Sequence, residues 1–191
     1  MYISNSFIHK IIRRIFPGRA PMMMSKIRDN HKKVIAKTRI SNSTFIDHPL
    51  ALELGENVYI GHFNFIEASQ GLKIKEGVQI TSFITITTHS SHQSIRLYGN
   101  AYAGANMIGY SKGPIIIGAY TFIGPHTTIM PHTKIGKGCL VAAYSYVKGD
   151  FPDFSIISGN PAKIIGDTRT LDAPFLEENP LLKSTYDAWA K

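Results

Sequence analysis

The sequence predicts an all-β fold, a parallel β-helix in which short strands coil around a triangular core. Three observations carry this prediction: an aliphatic residue recurs every six positions, the fifth position of the repeat is small, and turn-forming residues separate the repeats. A period of six matches neither the 3.6-residue period of a helix nor the two-residue period of an amphipathic strand. It fits three short strands per turn, whose inward aliphatic side chains stack on those of neighbouring turns.

The repeat is most regular in the second half of the chain, where six consecutive units begin at Ile117 and end with the unit at Val147. Turn formers such as Glu56-Asn57 and Gly77 fall at the predicted corners, where glycine and asparagine tolerate a positive φ. The same period occurs upstream, in units that begin at Val34, Ile40, Ile46, Leu54, Ile60, Ile66, Ile74, Ile80 and Ile86.

The spacing of the units shows where the coil is interrupted. The first two turns each exceed eighteen residues by two, and the step from Ile74 to Ile117 exceeds it by twenty-five. Every extra residue follows the third strand of a turn, so all of them are predicted to leave from one edge. Residues 90–114 form the long insertion, and long loops in compact folds are often functional. We therefore expect the chemistry at this edge.

The two ends of the chain fall outside the repeat. Residues 1–33 form a basic segment. Within this segment, residues 4–16 place Phe and Ile on one helical face and Lys and Arg on the other. We expect this helix to pack against the domain or a neighbouring subunit, and the alternative is weak association with an anionic membrane surface. Residues 34–168 are predicted to form the β-helix domain, and residues 169–191 a short helical tail.

Composition restricts the classes of function. No segment reaches the ~18 unbroken apolar residues of a membrane span, and the N-terminus lacks a secretory-signal pattern. The single cysteine, Cys139, excludes an internal disulfide and fits a reducing compartment. We therefore expect a cytoplasmic protein, at most peripheral at the inner face of the membrane. The net charge of +8 suits a polyanionic cofactor or membrane surface, whereas no nucleic-acid-binding motif is present.

Two segments make the repeat more specific: residues 113–124, GPIIIGAYTFIG, and residues 158–163, SGNPAK. Together with a histidine before a long loop, they resemble the hexapeptide-repeat acyltransferases, especially the O-acetyltransferases of sugars, lipopolysaccharide and capsule. The resemblance covers residues 34–168. It implies a left-handed coil and a homotrimer with active sites between neighbouring subunits. It also implies transfer of an acetyl group from acetyl-CoA to a hydroxyl of a sugar or glycan.

Acyl transfer to a hydroxyl needs a general base, and histidine suits this role because imidazole titrates near neutral pH. His89 ends the third turn at the mouth of the long loop, where the family has its catalytic histidine, and His92 is the alternative base. Asn64 and Glu67 are candidate contacts of the acceptor. Glu67 could instead orient His89 across the subunit interface or be a solvated corner carboxylate, and Asn64 could be a satisfied inward amide. Cys139 falls at an inward fifth position, so we expect direct transfer without an acyl-enzyme.

Acetyl-CoA needs a groove of backbone amides and small residues for its pantetheine arm, and cations for its phosphates. We expect this groove beside the histidine at the interrupted edge. By position in the family motif, the resemblance assigns Gly124, Pro125, Ala142 and Ala143 to the arm and Lys163 to the phosphates. Lys148 is the second candidate for a phosphate contact, although it stands where relatives have Thr and Gly149 replaces the lysine that follows.

Other functions stay open on the same scaffold. The acceptor could be a nucleotide amino sugar, which would make the protein an N-acetyltransferase. His126 and His132 raise the possibility of a γ-carbonic-anhydrase-like hydratase, but that class spaces two histidines five apart and these are six apart. Zinc also needs three converging protein ligands, so we expect no metal. A scaffold without activity would bind no coenzyme.

Overall fold

The computed structural model describes residues 20–191 as a left-handed parallel β-helix, which confirms the predicted fold class. Each turn places one short strand on each of three sheets, and neighbouring turns pair in parallel. The helix predicted at residues 4–16 lies outside the described residues. Within residues 20–191, none of the helices has the length and apolar character needed to cross a membrane.

Short strands make up most of this part of the chain. In chain order they are β1 (Met23–Met24), β2 (Arg39–Ser41), β3 (Phe45–Asp47), β4 (Leu52–Leu54), β5 (Tyr59–Ile60), β6 (Phe65–Glu67), β7 (Leu72–Ile74), β8 (Gln79–Ile80), β9 (Thr85–Ile86), β10 (His89–Ser90), β11 (Ser111–Lys112), β12 (Ile115–Ile117), β13 (Phe122–Ile123), β14 (Thr128–Ile129), β15 (Lys134–Ile135), β16 (Leu140–Val141), β17 (Tyr146–Val147), β18 (Asp150–Phe151), β19 (Ser155–Gly159) and β20 (Ala162–Asp167). The helices are α1 (Ser94–Tyr98), α2 (Thr168–Glu178) and α3 (Lys183–Ala190), and 3-10 turns lie at Pro49–Ala51, Gly99–Ala101 and Pro180–Leu182.

Three sheets enclose the core. The first contains β1, β2, β5, β8, β13, β16, β19 and β20 in that spatial order, the second β3, β6, β9, β14 and β17, and the third β4, β7, β12, β15 and β18. The resulting prism has three edges. We name the edge between the second and third sheets the loop edge, because residues 88–114 leave there. The edge between the first and second sheets is the aromatic edge, and the one between the third and first sheets is the tail edge.

The core is the stack of aliphatic side chains that the six-residue period predicts. In the first sheet Ile123 pairs with Ile80 below it and Val141 above it, and all three side chains are fully buried. The inward position predicted at Val34 is wrong, because this side chain is 41% exposed. Here the chain folds back on itself through a bridge between Arg28 and Val34, and Ile35 takes the buried position.

The small residues at the fifth position also point into the prism, as predicted. Thr121, Thr127 and Thr133 are buried, and their hydroxyls donate hydrogen bonds of 2.7–2.9 Å to backbone carbonyls. These bonds satisfy polar groups at the corners that would otherwise be buried without a partner. Cys139 occupies the same position and is 2% exposed. Burial raises the pKa of its thiol, so Cys139 is a core residue rather than a nucleophile.

The aromatic edge carries a column of four corner residues with a left-handed backbone, at φ values of 58–61°. Their rings form a continuous stack, with centroid distances of 5.3, 5.0 and 4.7 Å along the column. A left-handed conformation costs a non-glycine residue roughly 1–2 kcal/mol, so the column carries backbone strain at each turn. Its members are Phe63, Phe83, His126 and Tyr144.

The predicted helical tail covers the tail edge. Trp189 of α3 contacts Tyr120, with a centroid distance of 4.6 Å, and Phe154 at 5.9 Å. Lys137 donates from Nζ to the carbonyl of Ala190, at 3.0 Å, near the C-terminus of α3. A cation at this end of a helix is favourable because the terminal carbonyls carry partial negative charge. These contacts fix the tail against the tail edge.

Candidate active site

The insertions leave from one edge, as the spacing predicts. The long loop begins and ends in a two-residue antiparallel ribbon, in which β10 pairs with β11 and His89 lies opposite Lys112. The Gly113 amide then donates to the Thr88 carbonyl at 3.0 Å, which closes the neck of the loop. The Thr87 hydroxyl donates to the His89 carbonyl at 2.8 Å. His89 is thus held at a fixed point where the loop leaves the prism.

A buried carboxylate lies beside the His89 ring. Oε2 of Glu67, at the end of β6, lies 2.9 Å from His89 Nδ1. The Glu67 side chain is 3% exposed, whereas the His89 side chain is 38% exposed. A carboxylate can only accept hydrogen bonds, so Nδ1 carries the proton and Nε2 presents a lone pair. This tautomer is the one that a general base requires.

The fold holds Glu67 in its ionised form. Burial by itself raises the pKa of this carboxyl, but hydrogen bonds from the side chains and backbone of Ser69 and Thr88 outweigh burial and lower the pKa to about 2. The Ser69 amide donates to Oε1 at 2.6 Å, and the Thr88 amide and hydroxyl donate to Oε2 at 2.8 and 2.7 Å. Glu67 is therefore not a solvated corner carboxylate, and it contacts His89 of its own chain. Its contact with an acceptor stays a prediction.

Two further residues of the site were missed by the sequence analysis. Nδ1 of His48 lies 3.1 Å from Asp47 Oδ1 and 4.0 Å from Glu67 Oε1. The sequence did contain a signal for His48. Its neighbour Asp47 occupies the repeat position that Glu67 has in the next turn, and the two residues pair. The ring of Tyr110 stacks on the His89 ring, and no periodicity in the loop could have indicated this contact.

The remaining acceptor and base candidates do not join this cluster. The His92 side chain is exposed, and its Nδ1 lies 2.9 Å from the Ser90 hydroxyl. The amide of Asn64 is buried and bonds to the backbone of Gly61, Thr81 and Ile84. Asn64 thus has the bonding expected of a satisfied inward amide, and its contact with an acceptor stays a prediction.

The residues assigned to the coenzyme are divided between two edges. Gly124, Pro125, Ala142 and Ala143 lie at the aromatic edge, between the first and second sheets. Lys163 belongs to the same end, because the β19–β20 hairpin is tied there by the Gly159 amide, which donates to the Ser145 hydroxyl at 3.3 Å. Lys148 follows β17 and therefore lies at the loop edge with His89.

The second sheet separates the two groups of residues. About five residues of extended chain span its width, which is roughly 16 Å. Within one chain, the histidine and the residues assigned to the coenzyme arm therefore lie on different edges, and their meeting between neighbouring subunits stays a prediction. Gly124 also has a structural explanation, because a Cβ there would lie 2.6 Å from the Ala143 amide nitrogen of the next turn.

The paired histidines that suggested a hydratase lie on different edges. His126 stacks between Phe83 and Tyr144 at the aromatic edge, whereas His132 packs against Gly113 at the loop edge. Both have a left-handed backbone, with φ of 59° and 64°, as expected of corner residues. Across residues 20–191 no three His, Cys, Asp or Glu side chains converge to hold a metal ion.

Comparison with known proteins finds relatives that are named as transferases or acetyltransferases. Residues 114–149 match the family described as bacterial transferase hexapeptide (six repeats). A putative acetyltransferase of Saccharomyces cerevisiae is 30% identical over 155 residues, which cover 74% of either chain. The putative lipopolysaccharide biosynthesis O-acetyl transferase WbbJ of Escherichia coli is 31% identical over 114 residues, 58% of this chain and 57% of that one.

Two further matches also cover only part of each chain. A probable acetyltransferase of Mycobacterium tuberculosis is 28% identical over 123 residues, 64% of this chain, and the match spans only 39% of the length of that relative. Among solved structures, a galactoside acetyltransferase in complex with coenzyme A superimposes with a TM-score of 0.57 at 24% identity, covering 68% of this chain and 62% of the other. This likeness supports the fold. From the repeats, the fold and the yeast relative, the chain belongs to the hexapeptide-repeat acyltransferase family.

Proposed function

We propose that this protein transfers an acetyl group from acetyl-CoA to a hydroxyl of a sugar or glycan, with His89 as the general base. The observation that carries the proposal is the pair formed by His89 and the buried, ionised Glu67 at the neck of the loop. The name of the Escherichia coli relative supports a saccharide acceptor. The coenzyme A bound to the galactoside acetyltransferase, which shares the fold, supports the donor.

In the proposed direct transfer each residue has a defined role. His89 Nε2 takes the proton of the acceptor hydroxyl as that oxygen attacks the thioester carbonyl, and it returns the proton to the departing thiolate, so that an ester and a thiol result. Glu67 holds the imidazole in the required tautomer and stabilises the positive charge that the ring gains. At the aromatic edge, the exposed Ala143 and Lys163 fit a pantetheine arm and a phosphate.

The acceptor class is tested by measuring thiol release from acetyl-CoA. We expect release to depend on a mono- or oligosaccharide acceptor, and we expect the product to be an alkali-labile ester. Serine and a nucleotide amino sugar serve as competing acceptors in the same assay. Turnover confined to the amino sugar, with an alkali-stable amide product, would replace this proposal with the N-acetyltransferase alternative.

A second copy of the chain completes the site in this proposal. Since His89 and the coenzyme residues lie on opposite sides of the second sheet, the loop edge of one copy must face the aromatic edge of the next. Part of the surface between these edges is apolar. Phe45 and Phe65 stack at 5.6 Å on the second sheet, beside Phe63, Phe83 and Tyr144 of the aromatic edge, and all five are 45–71% exposed.

The size of this patch suits an interface between subunits. Five rings exposed to this extent offer roughly 500 Å², which is near the upper end for the surface of a monomer. It is more than half of the ~800 Å² that each partner buries in a standard interface. Burial against another copy would also offset the backbone strain of the aromatic edge. We therefore propose a homotrimer, in which each of three equivalent sites is shared by two chains.

Complementation between two inactive variants tests this arrangement. We expect His89→Ala and Ala143→Glu each to lower transfer at least about 10²-fold alone, and activity to rise when the two chains are co-expressed. With random assembly of equal amounts of the two chains, roughly a quarter of all interfaces join an intact His89 to an intact aromatic edge. Light scattering confirms that each variant still forms trimers. Inactive mixed trimers would show that both elements must come from the same chain.

A further inference from the structure

The long insertion returns to the site and covers the catalytic candidate. The rings of Tyr110 and His89 stack with an interplanar angle of 6° and a centroid distance of 5.9 Å. The contact depends on the path of the loop just before β11, where Gly109 has a left-handed φ of 80°. A Cβ at Gly109 would lie 3.1 Å from Leu97 and 3.2 Å from the Ser94 amide of α1. Close packing on α1 thus brings the next residue, Tyr110, onto the imidazole.

We infer that Tyr110 is a positioning residue for the proposed transfer, a role that rests on His89 being the base. The hydrogen bond to Glu67 fixes the His89 ring at one atom, Nδ1, and leaves the ring free to swing about that point. A parallel ring against one face removes this freedom. Together the carboxylate and the phenol ring define both the tautomer and the plane of the imidazole, and therefore the direction of the Nε2 lone pair.

The electrostatics of Tyr110 suit this role. Burial raises the pKa of its phenol, and the nearby Tyr102 and Glu67 raise it further. Tyr110 therefore remains a neutral ring at the pH of the reaction and does not compete with His89 for a proton. When His89 becomes an imidazolium, its positive charge lies 5.9 Å from the centre of the Tyr110 ring, near the outer limit of an attractive cation–π contact.

Charged and titratable groups from several elements surround His89, and none of them duplicates the stacking contact. They are Glu67 of β6, Asp47 and His48 at the end of β3, Tyr102 and Tyr110 of the loop, and Lys112 of β11. Nζ of Lys112 lies 3.4 Å from Asn106 Oδ1. The stacking of Tyr110 on His89 is therefore the contact that substitutions should test.

Substitutions at Tyr110 separate the ring from its hydroxyl. Tyr110→Leu should lower kcat roughly 10-fold to 100-fold, with the KM for acetyl-CoA within about twofold of wild type, because the base is misdirected but the coenzyme edge is untouched. Tyr110→Phe, which keeps the stack, should restore kcat. Tyr186→Leu in α3, where the tyrosine hydroxyl bonds to Asp172 at 3.1 Å, is the matched control and should leave kcat unchanged. Wild-type kcat in Tyr110→Leu, or an equal defect in Tyr110→Phe, would overturn the inference.

An NMR experiment tests the positioning without any acceptor. The Nδ1–H proton of His89 bonds to Glu67 and should give a downfield resonance that His89→Ala removes. We expect this resonance to persist in Tyr110→Phe and to broaden in Tyr110→Leu, as the ring gains mobility. An unchanged signal in Tyr110→Leu would contradict the inference even if transfer were confirmed. A broadened signal in a protein that transfers no acetyl group would refute the proposed function and leave the positioning contact standing.

Discussion

His89→Ala should lower kcat/KM for acetyl transfer by about 10²–10⁴-fold, the contribution expected of a general base. The acceptor hydroxyl would have to lose its proton to water, because the ring that accepts it is absent. Stability should change little, since the His89 side chain is 38% exposed and Glu67 keeps its hydrogen bonds to Ser69 and Thr88. Initial rates of thiol release at saturating acetyl-CoA measure the effect.

His92→Ala provides the matched control, because it removes an exposed imidazole three residues away. We expect it to keep at least half of the wild-type rate, since its described contact is a serine hydroxyl rather than a buried carboxylate. The reverse pattern, a normal rate in His89→Ala and a large loss in His92→Ala, would transfer the role of base to His92. Equal small losses in both would exclude histidine base catalysis at this edge.

The sequence predicts the structure best where a side chain can be buried in only one arrangement. An aliphatic residue every six positions can be buried only if three strands make a turn, and the observed stack of Ile80, Ile123 and Val141 follows this rule. The position of the loop edge was predicted by counting the residues between repeat units. The same count could have separated the two edges of the site, because Gly124 follows a first-sheet strand whereas His89 follows a second-sheet strand.

The parts that could not be predicted depend on contacts between distant residues. Glu67 lies on a strand whose outward positions usually face solvent, and its burial arises because Thr88 and Ser69 close over it. Tyr110 reaches His89 through a loop whose path depends on packing against α1 rather than on any repeat. The inward position predicted for Val34 was wrong for a related reason. At the end of the stack, the chain pairs with residues outside the repeat.

Glu67→Gln should be the second substitution with a large effect, on both activity and stability. A neutral amide can present its NH2 group to Nδ1 and so favour the tautomer in which Nε2 carries the proton. That tautomer cannot accept the proton of the acceptor hydroxyl, so we expect kcat to fall roughly 10²-fold. The change is isosteric, which separates loss of the charge from loss of packing.

The effect on stability depends on pH in a defined direction. The pKa of Glu67 is lowered by folding from 4.5 to about 2, so the ionised carboxylate stabilises the folded state above pH 4.5, by about 3 kcal/mol. This contribution disappears as the pH falls through the folded-state pKa. Wild type should therefore be more stable than Glu67→Gln at pH 7, and the difference should shrink between pH 4.5 and pH 2.

Urea unfolding at pH 7 and pH 3, at one fixed protein concentration, measures this difference. Glu53→Gln is the control, because Glu53 forms an exposed ion pair with Lys73 at 2.7 Å and such pairs contribute about 0–1 kcal/mol. Equal stability of wild type and Glu67→Gln at pH 7 would show that the carboxylate is not held as a buried anion. The tautomer of His89 would then lack its anchor, and the assignment of His89 as base would lose its physical basis.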